Sequence, residues 1–239
     1  MTELLYQRDS YLSQFEAVVT AVDAEQRAIM LDRTAFYPGG GGQPPDRGAL
    51  AVDGVTYMVR QAKRSGDAVW HVVEGIGELP AVGASAQASL DWERRYQLMR
   101  THTALHILCG VVWRDYRASV TGGNMEPLSG RMDFEFARLQ KELVQEIEEK
   151  INIEVKASRP VRVAILPREE AFQIPDLIRT KINLLPAGIT AVRMVAIEGL
   201  DLQADGGTHV ANTAEVGHIA VVDYKSKGGI NKRLYIRLS

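Results

Sequence analysis

The chain has 239 residues, 46% of them hydrophobic and 24% charged, with a formal net charge of −2. That composition suffices for a sizeable core in one or two domains and excludes a disordered chain. It also excludes a globally basic nucleic-acid binder, so any contact with a phosphate backbone has to come from a local patch. No apolar run reaches the roughly 18 residues of a membrane span, so no membrane partner is expected. The opening residues, MTELLYQRDSYLSQF, lack the basic-then-apolar layout of a secretory signal. The single cysteine, Cys109, allows no internal disulfide, and a cytoplasmic location is the expectation.

From about Leu12 to Gly83 the chain reads as β-rich. Short apolar runs (Ala17–Val19, Ala28–Leu31, Val55–Val59, Val69–Val73) are separated by Asp, Gly and Pro, the rhythm of a small barrel or sandwich. The segment Phe36 to Gly48 breaks it, because four consecutive glycines, Gly39 to Gly42, flanked by prolines cannot form a regular strand.

The pattern changes near Leu90. Asp91 is placed to cap a helix over Trp92 to Tyr116, in which Leu98, His102, Leu105, His106, Cys109 and Trp113 share one side. A second helix is predicted from about Leu139 to Ile153, with Leu139, Leu143, Ile147 and Ile151 recurring every fourth residue. Strands are predicted after Pro160, over Thr190 to Glu198, over His218 to Tyr224 and over Arg233 to Leu238. The expected organisation is α+β: a small N-terminal β-barrel over residues 1–88, then a two-layer α/β domain over residues 89–239.

His102 and His106 lie four residues apart on the predicted helix, so both imidazoles leave one face and two ring nitrogens can converge on a metal ion. In Asp205-Gly206-Gly207-Thr208-His209 the glycines allow a tight turn that returns Asp205 and His209 to a common point. His209 supplies a third imidazole and Asp205 a hard oxygen, a donor set that zinc accepts. Cys109 sits almost two turns from His102 and reads as a core residue. His71 and His218 fall in strand-like runs and read as structural.

Two motifs, Arg100-Thr101-His102-Thr103-Ala104-Leu105-His106 and Asp201 through Thr213, resemble the editing domain shared by alanyl-tRNA synthetase and the AlaX proteins. Arg131-Met132-Asp133-Phe134 is similar to a family segment between them. The Phe36-to-Gly48 loop resembles the glycine-rich motif of the barrel that precedes this domain. The resemblance covers nearly the whole chain, and the family pattern carries cysteine where this chain has Asp205. Asp205 therefore either ligates the metal or stands behind it, steering His209 or a water.

The resemblance implies a free-standing, zinc-dependent hydrolase of mischarged tRNA, Ser-tRNA(Ala) above all and Gly-tRNA(Ala) besides, with one zinc per chain and no nucleotide cofactor. It implies His102, His106, His209 and Asp205 at the metal. Thr103 and Asn124, the latter in a glycine-containing loop over Thr121 to Met125, are the candidates for the seryl hydroxyl contact, with Asp205 as a further catalytic candidate. Arg131 and Asp133 either shape the mouth of the site or pair to order a strand. Lys225, Lys227, Lys232 and Arg233 form a basic tail suited to phosphate or to a solvated hairpin. Gly40, Gly41 and Gly42 could meet tRNA through their amides but lack the Lys and Ser/Thr of a nucleotide loop. Two rivals stand beside this: a related metallohydrolase acting on Ser-tRNA(Thr) or another ester, and a non-catalytic zinc module that binds tRNA. Nothing in the sequence fixes the oligomeric state.

Overall fold

A computed structural model describes residues 2–136, 140–175, 177 and 188–239. In chain order its strands and helices are β1 (Glu3–Leu4), β2 (Gln14–Asp23), β3 (Ala28–Leu31), β4 (Arg33–Thr34), β5 (Gly48–Val52), β6 (Val55–Ser65), β7 (Ala68–Val73), β8 (Ser85–Leu90), α1 (Trp92–Tyr116), β9 (Val120–Glu126) and β10 (Ser129–Glu135). They continue as α2 (Lys141–Lys156), β11 (Val161–Pro167), α3 (Arg168–Ala171), β12 (Ala191–Ile197), β13 (Asp201–Ala204), β14 (Ile219–Ser226) and β15 (Asn231–Leu238). Two compact units divide inside α1, one ending at Gln97 and the other beginning at Leu98. Among the described residues no helix is long and apolar enough to cross a membrane.

In the N-terminal unit β2-β3-β7-β6-β5-β8 close into a barrel. Alternation along each strand sends Val19, Ile29, Leu31, Leu50, Val52, Val59 and Val69 inward to one core. His71 is buried there, its Nε2 2.8 Å from Thr34 Oγ1 and its Nδ1 3.0 Å from the Ile29 carbonyl. Burial pushes its pKa down to about 4, so it is neutral and structural, as the strand-like context predicts. His218, by contrast, lies exposed just before β14 rather than within a strand.

The glycine-rich segment is a built loop. Gly40 and Gln43 exchange two backbone hydrogen bonds (3.1 and 2.9 Å) around Gly41 and Gly42, whose φ values of 58° and 89° suit a reverse turn that favours glycine. The Tyr37 hydroxyl donates to the Gly40 carbonyl at 3.0 Å, and Asp46 accepts the Tyr37 N–H at 2.6 Å. Arg95 clamps the loop from α1: its guanidinium grips the Asp46 carboxylate and donates to the carbonyls of Ser10 and Ala35.

The C-terminal unit holds an antiparallel four-stranded sheet, β14-β15-β10-β9, and a three-stranded sheet, β11-β12-β13. Asp91 caps α1, its Oδ1 accepting the Arg94 N–H at 3.2 Å. The helix differs from the one-sided reading, because every residue from Thr101 to Val112 is buried. It is therefore a central helix, and its histidines are in the interior. The second helix begins at Lys141 and runs to Lys156; Leu139 lies outside the described residues. Thr121 to Met125, read from its glycines as a loop, is instead within β9, where pairing with β10 overrides the poor strand propensity of Gly122 and Gly123.

Candidate metal centre

Two elements build the site. His102 and His106, one turn apart on α1, face the loop that follows β13. That loop is turned by Asp205, whose Oδ2 accepts the Gly207 N–H at 2.7 Å, and is tied to β12 by the Asp205 N–H donating to the Arg193 carbonyl at 3.1 Å. Arg193 completes the tie, its Nη1 donating to the Asp205 carbonyl at 2.9 Å and lying 3.8 Å from Asp205 Oδ2.

The result is a convergent donor set. One ligand atom from each of His102, His106, Asp205 and His209 lies within 4.8 Å of all the others. His209 Nε2 is 3.1 Å from Asp205 Oδ2, and His102 Nε2 is 3.5 Å from Asp205 Oδ1. Donors on one tetrahedral zinc sit roughly 3.3 Å apart, so these separations fit such an ion. The His102 and His209 rings stack at 4.2 Å, and His106 stands edge-on to both.

Each ring is also held from behind. Thr103 Oγ1 lies 3.1 Å from His209 Nδ1 and accepts the Val210 N–H at 3.3 Å. Asp201 Oδ2 lies 3.1 Å from His106 Nδ1. The Thr208 backbone hydrogen-bonds His102. Metal-bound histidines characteristically carry such outer partners. Burial pushes His102 down to about 4 and His209 well below its usual range, so both rings are neutral, the form in which imidazole ligates. Burial also works against ionisation of Asp205, but the three imidazoles around it hold its carboxyl well below the usual carboxylate range. His106 goes the other way: burial lowers it, and the hydrogen bond and charge of Asp201 outweigh burial and raise it.

Other sequence candidates sit elsewhere. The Thr103 hydroxyl is fully buried and engaged with His209 and Val210. Asn124 is exposed on β9 opposite Arg131, its Oδ1 accepting the Met125 N–H at 2.7 Å. Cys109 is buried and outside the four-residue cluster. Asp133 pairs with Arg131 at 3.5 Å and in fork geometry with Arg233 at 2.6 and 2.7 Å. Lys232 is buried, its Nζ donating to Ser226 Oγ and the Gly229 carbonyl. Lys225, beside Asp223, and Lys227 stay exposed. Gly40, Gly41 and Gly42 form the turn of the barrel loop. Sequence reading gave no role to Asp201 or Arg193; His106 and Asp201 are 95 residues apart, and only the fold joins them.

Comparison with known proteins places the chain in a family. The family described as tRNA synthetases class II (A) matches residues 8–94, and the threonyl and alanyl tRNA synthetase second additional domain matches residues 192–235. The alanyl-tRNA editing protein AlaX-M of Saccharolobus solfataricus is 38% identical over 237 residues, 98% of each chain. The chain belongs to the AlaX-M family of alanyl-tRNA editing proteins. A second AlaX-M, from Methanosarcina mazei, is 36% identical over 244 residues, covering 100% of this chain and 97% of that one. The alanine–tRNA ligase of Pyrobaculum neutrophilum is 39% identical over 227 residues, 92% of this chain but 25% of the ligase. The resemblance read from the histidine and glycine motifs thus extends end to end.

Proposed function

We propose that this AlaX-M chain is a metal-dependent esterase that removes a wrongly attached amino acid from tRNA. Its substrates on this reading are Ser-tRNA(Ala) first and Gly-tRNA(Ala) second. The observation that carries the proposal is the convergence of His102, His106, His209 and Asp205 within 4.8 Å, in a chain aligned end to end with alanyl-tRNA editing proteins. Three imidazoles and a carboxylate suit zinc, and the metal is proposed as zinc on that chemistry. A bound zinc supplies Lewis-acid polarisation of a water or of a substrate oxygen or amine.

The chain's own residues do the rest. His102 and His209 present neutral rings, and Asp205 brings the negative charge that balances a divalent ion. Thr103 and the Thr208 backbone fix ring orientation, which keeps donor geometry from drifting as substrate enters. Burial of the imidazoles excludes bulk water and strengthens every electrostatic contact inside. The need for such an enzyme is physical: a site shaped for alanine rejects glycine, one methyl smaller, only weakly. It rejects an added hydroxyl little better.

Thr103, whose hydroxyl lies 3.1 Å from His209 Nδ1, is the first candidate for sorting serine, and Asn124 is the second. The exposed Lys225 and Lys227 are the members of the basic tail placed to meet phosphate, while Lys232 and Arg233 act first on the hairpin and on Asp133. The substrate, a translation intermediate, argues for the cytoplasm.

Four protein donors also suit a closed structural zinc, which favours the binding-module reading as the alternative. Hydrolysis of Ser-tRNA(Ala), Gly-tRNA(Ala), Ala-tRNA(Ala) and Ser-tRNA(Thr) by wild type and His102→Ala separates the readings. Loss of the seryl ester on tRNA(Ala), sparing alanyl ester and absent in the variant, supports editing. Turnover of Ser-tRNA(Thr) alone moves the substrate. Four intact esters with the metal bound leave the binding module.

A further inference from the structure

α1 contains one glycine, Gly110, one turn beyond His106. Glycine inside a helix is less favourable than alanine, so its presence points to a packing reason. The reason is on the opposing turn. A Cβ at position 110 would lie 2.9 Å from Leu200 Cγ and 3.1 Å from Asp201 Cβ. The β12–β13 hairpin therefore rests directly on the helix backbone at this point. The hairpin itself is tight: Leu200 N–H donates to the Ile197 carbonyl at 3.0 Å, Gly199 takes φ 72°, and Ile197 pairs with Asp201. Asp201 is thus delivered at a fixed place, the first residue of β13, against the helix turn that carries His106.

The Asp201 side chain is fully buried, and its Oδ2 takes two contacts: His106 Nδ1 at 3.1 Å and Gln203 Nε2 at 2.7 Å. A carboxylate oxygen accepts, so the ring proton belongs on Nδ1 and the Nε2 lone pair is left for the cluster. Of the three rings, His209 is backed by a hydroxyl and His102 by a backbone group. His106 is backed by an anion, which makes it the strongest donor of the three.

We infer that Asp201 is a positioning residue of the metal centre, orienting His106 as a ligand, and that Gly110 is the gap in α1 that lets Asp201 reach it. This rests on the reading of the four-residue cluster as a metal site. It gives a function to an acidic residue and a helical glycine that lie outside the four-residue donor set.

The test is cobalt(II) binding by the full chain, measured by chelator competition and by the visible spectrum of the bound ion, so that no tRNA is involved. Asp201→Ala removes acceptor and charge, Asp201→Asn keeps an acceptor oxygen, and Gly110→Ala keeps both groups but forces them apart. The expected result is wild-type binding of one ion, weakened about 10–100-fold by Asp201→Ala and by Gly110→Ala, with Asp201→Asn between and the spectrum altered in all three. If Gly110 acts through Asp201, the double variant Gly110→Ala/Asp201→Ala binds no more weakly than Asp201→Ala alone. Wild-type affinity and spectrum in Asp201→Ala and Asp201→Asn would overturn the role of Asp201. Full additivity in the double variant would overturn that of Gly110. A wild-type chain that takes up no cobalt would overturn the metal reading itself, a different outcome from either.

Discussion

Thr103 and His209, 106 residues apart in the chain, meet with Oγ1 3.1 Å from Nδ1 at the candidate metal centre. The same hydroxyl accepts the Val210 N–H, so one threonine on α1 locks both the ring and the backbone of the following residue. Thr103→Val keeps the shape and removes the oxygen. We expect metal affinity to fall about tenfold, with Thr103→Ser restoring it, measured by chelator competition. Unchanged affinity together with loss of serine-over-alanine discrimination would assign the hydroxyl to the substrate instead.

Asp205 stands where the family resemblance carries cysteine. A carboxylate is a harder donor than a thiolate, so Asp205→Cys is expected to tighten zinc binding and to give cobalt-loaded protein an added sulfur-to-metal charge-transfer band. Asp205→Asn removes the balancing charge and is expected to weaken the ion at least tenfold. A cobalt spectrum and affinity indifferent to both substitutions would put Asp205 outside the ligand set.

His71 makes the barrel sensitive to acid. Its folded pKa of about 4 lies below the usual 6.5, so the unfolded chain binds a proton that the folded one refuses. Stability from this group is whole above pH 6.5 and is lost as pH falls towards 4, by roughly 3 kcal/mol in all. Urea unfolding followed through Trp70, with Trp92 and Trp113 changed to Phe, reads the barrel. The midpoint should drop between pH 7 and pH 5, and His71→Gln should flatten that slope while lowering the pH 7 midpoint. An equal slope in both proteins would contradict the assignment.

The Arg95–Asp46 pair clamps the glycine-rich loop with both side chains buried. Breaking it leaves a charge without its partner in the interior. Asp46→Ala should therefore destabilise the N-terminal unit by about 3–5 kcal/mol, read from the same Trp70 unfolding curve. A loss below about 1 kcal/mol would mean that the loop is held by its backbone pairing alone.

Much of this was written locally in the sequence. His102 and His106 declare themselves through helical spacing, and Asp205 and His209 through a glycine turn, because both pairs are set by a few adjacent residues. Short apolar runs between turn signals likewise mark Ala28–Leu31 and Val69–Val73. What the sequence hides is set through space. Asp201 carries no role of its own in the sequence until the β12–β13 hairpin lays it on Gly110. Gly122 and Gly123 look like a loop until β10 pairs with them. Lys232 and Arg233 look like one basic patch, yet the period of two on β15 sends Lys232 to the buried side with Leu234 and Ile236, and Arg233 to Asp133.

The central claim is that hydrolysis of mischarged tRNA depends on a metal held by His102, His106, His209 and Asp205. The most direct measurement is single-turnover hydrolysis of Ser-tRNA(Ala) by protein as purified, after stripping with a chelator, and after one equivalent of zinc is restored. The account predicts loss on stripping and recovery on restoration, with no recovery in His102→Ala. A stripped protein that hydrolyses the ester at the original rate would contradict it.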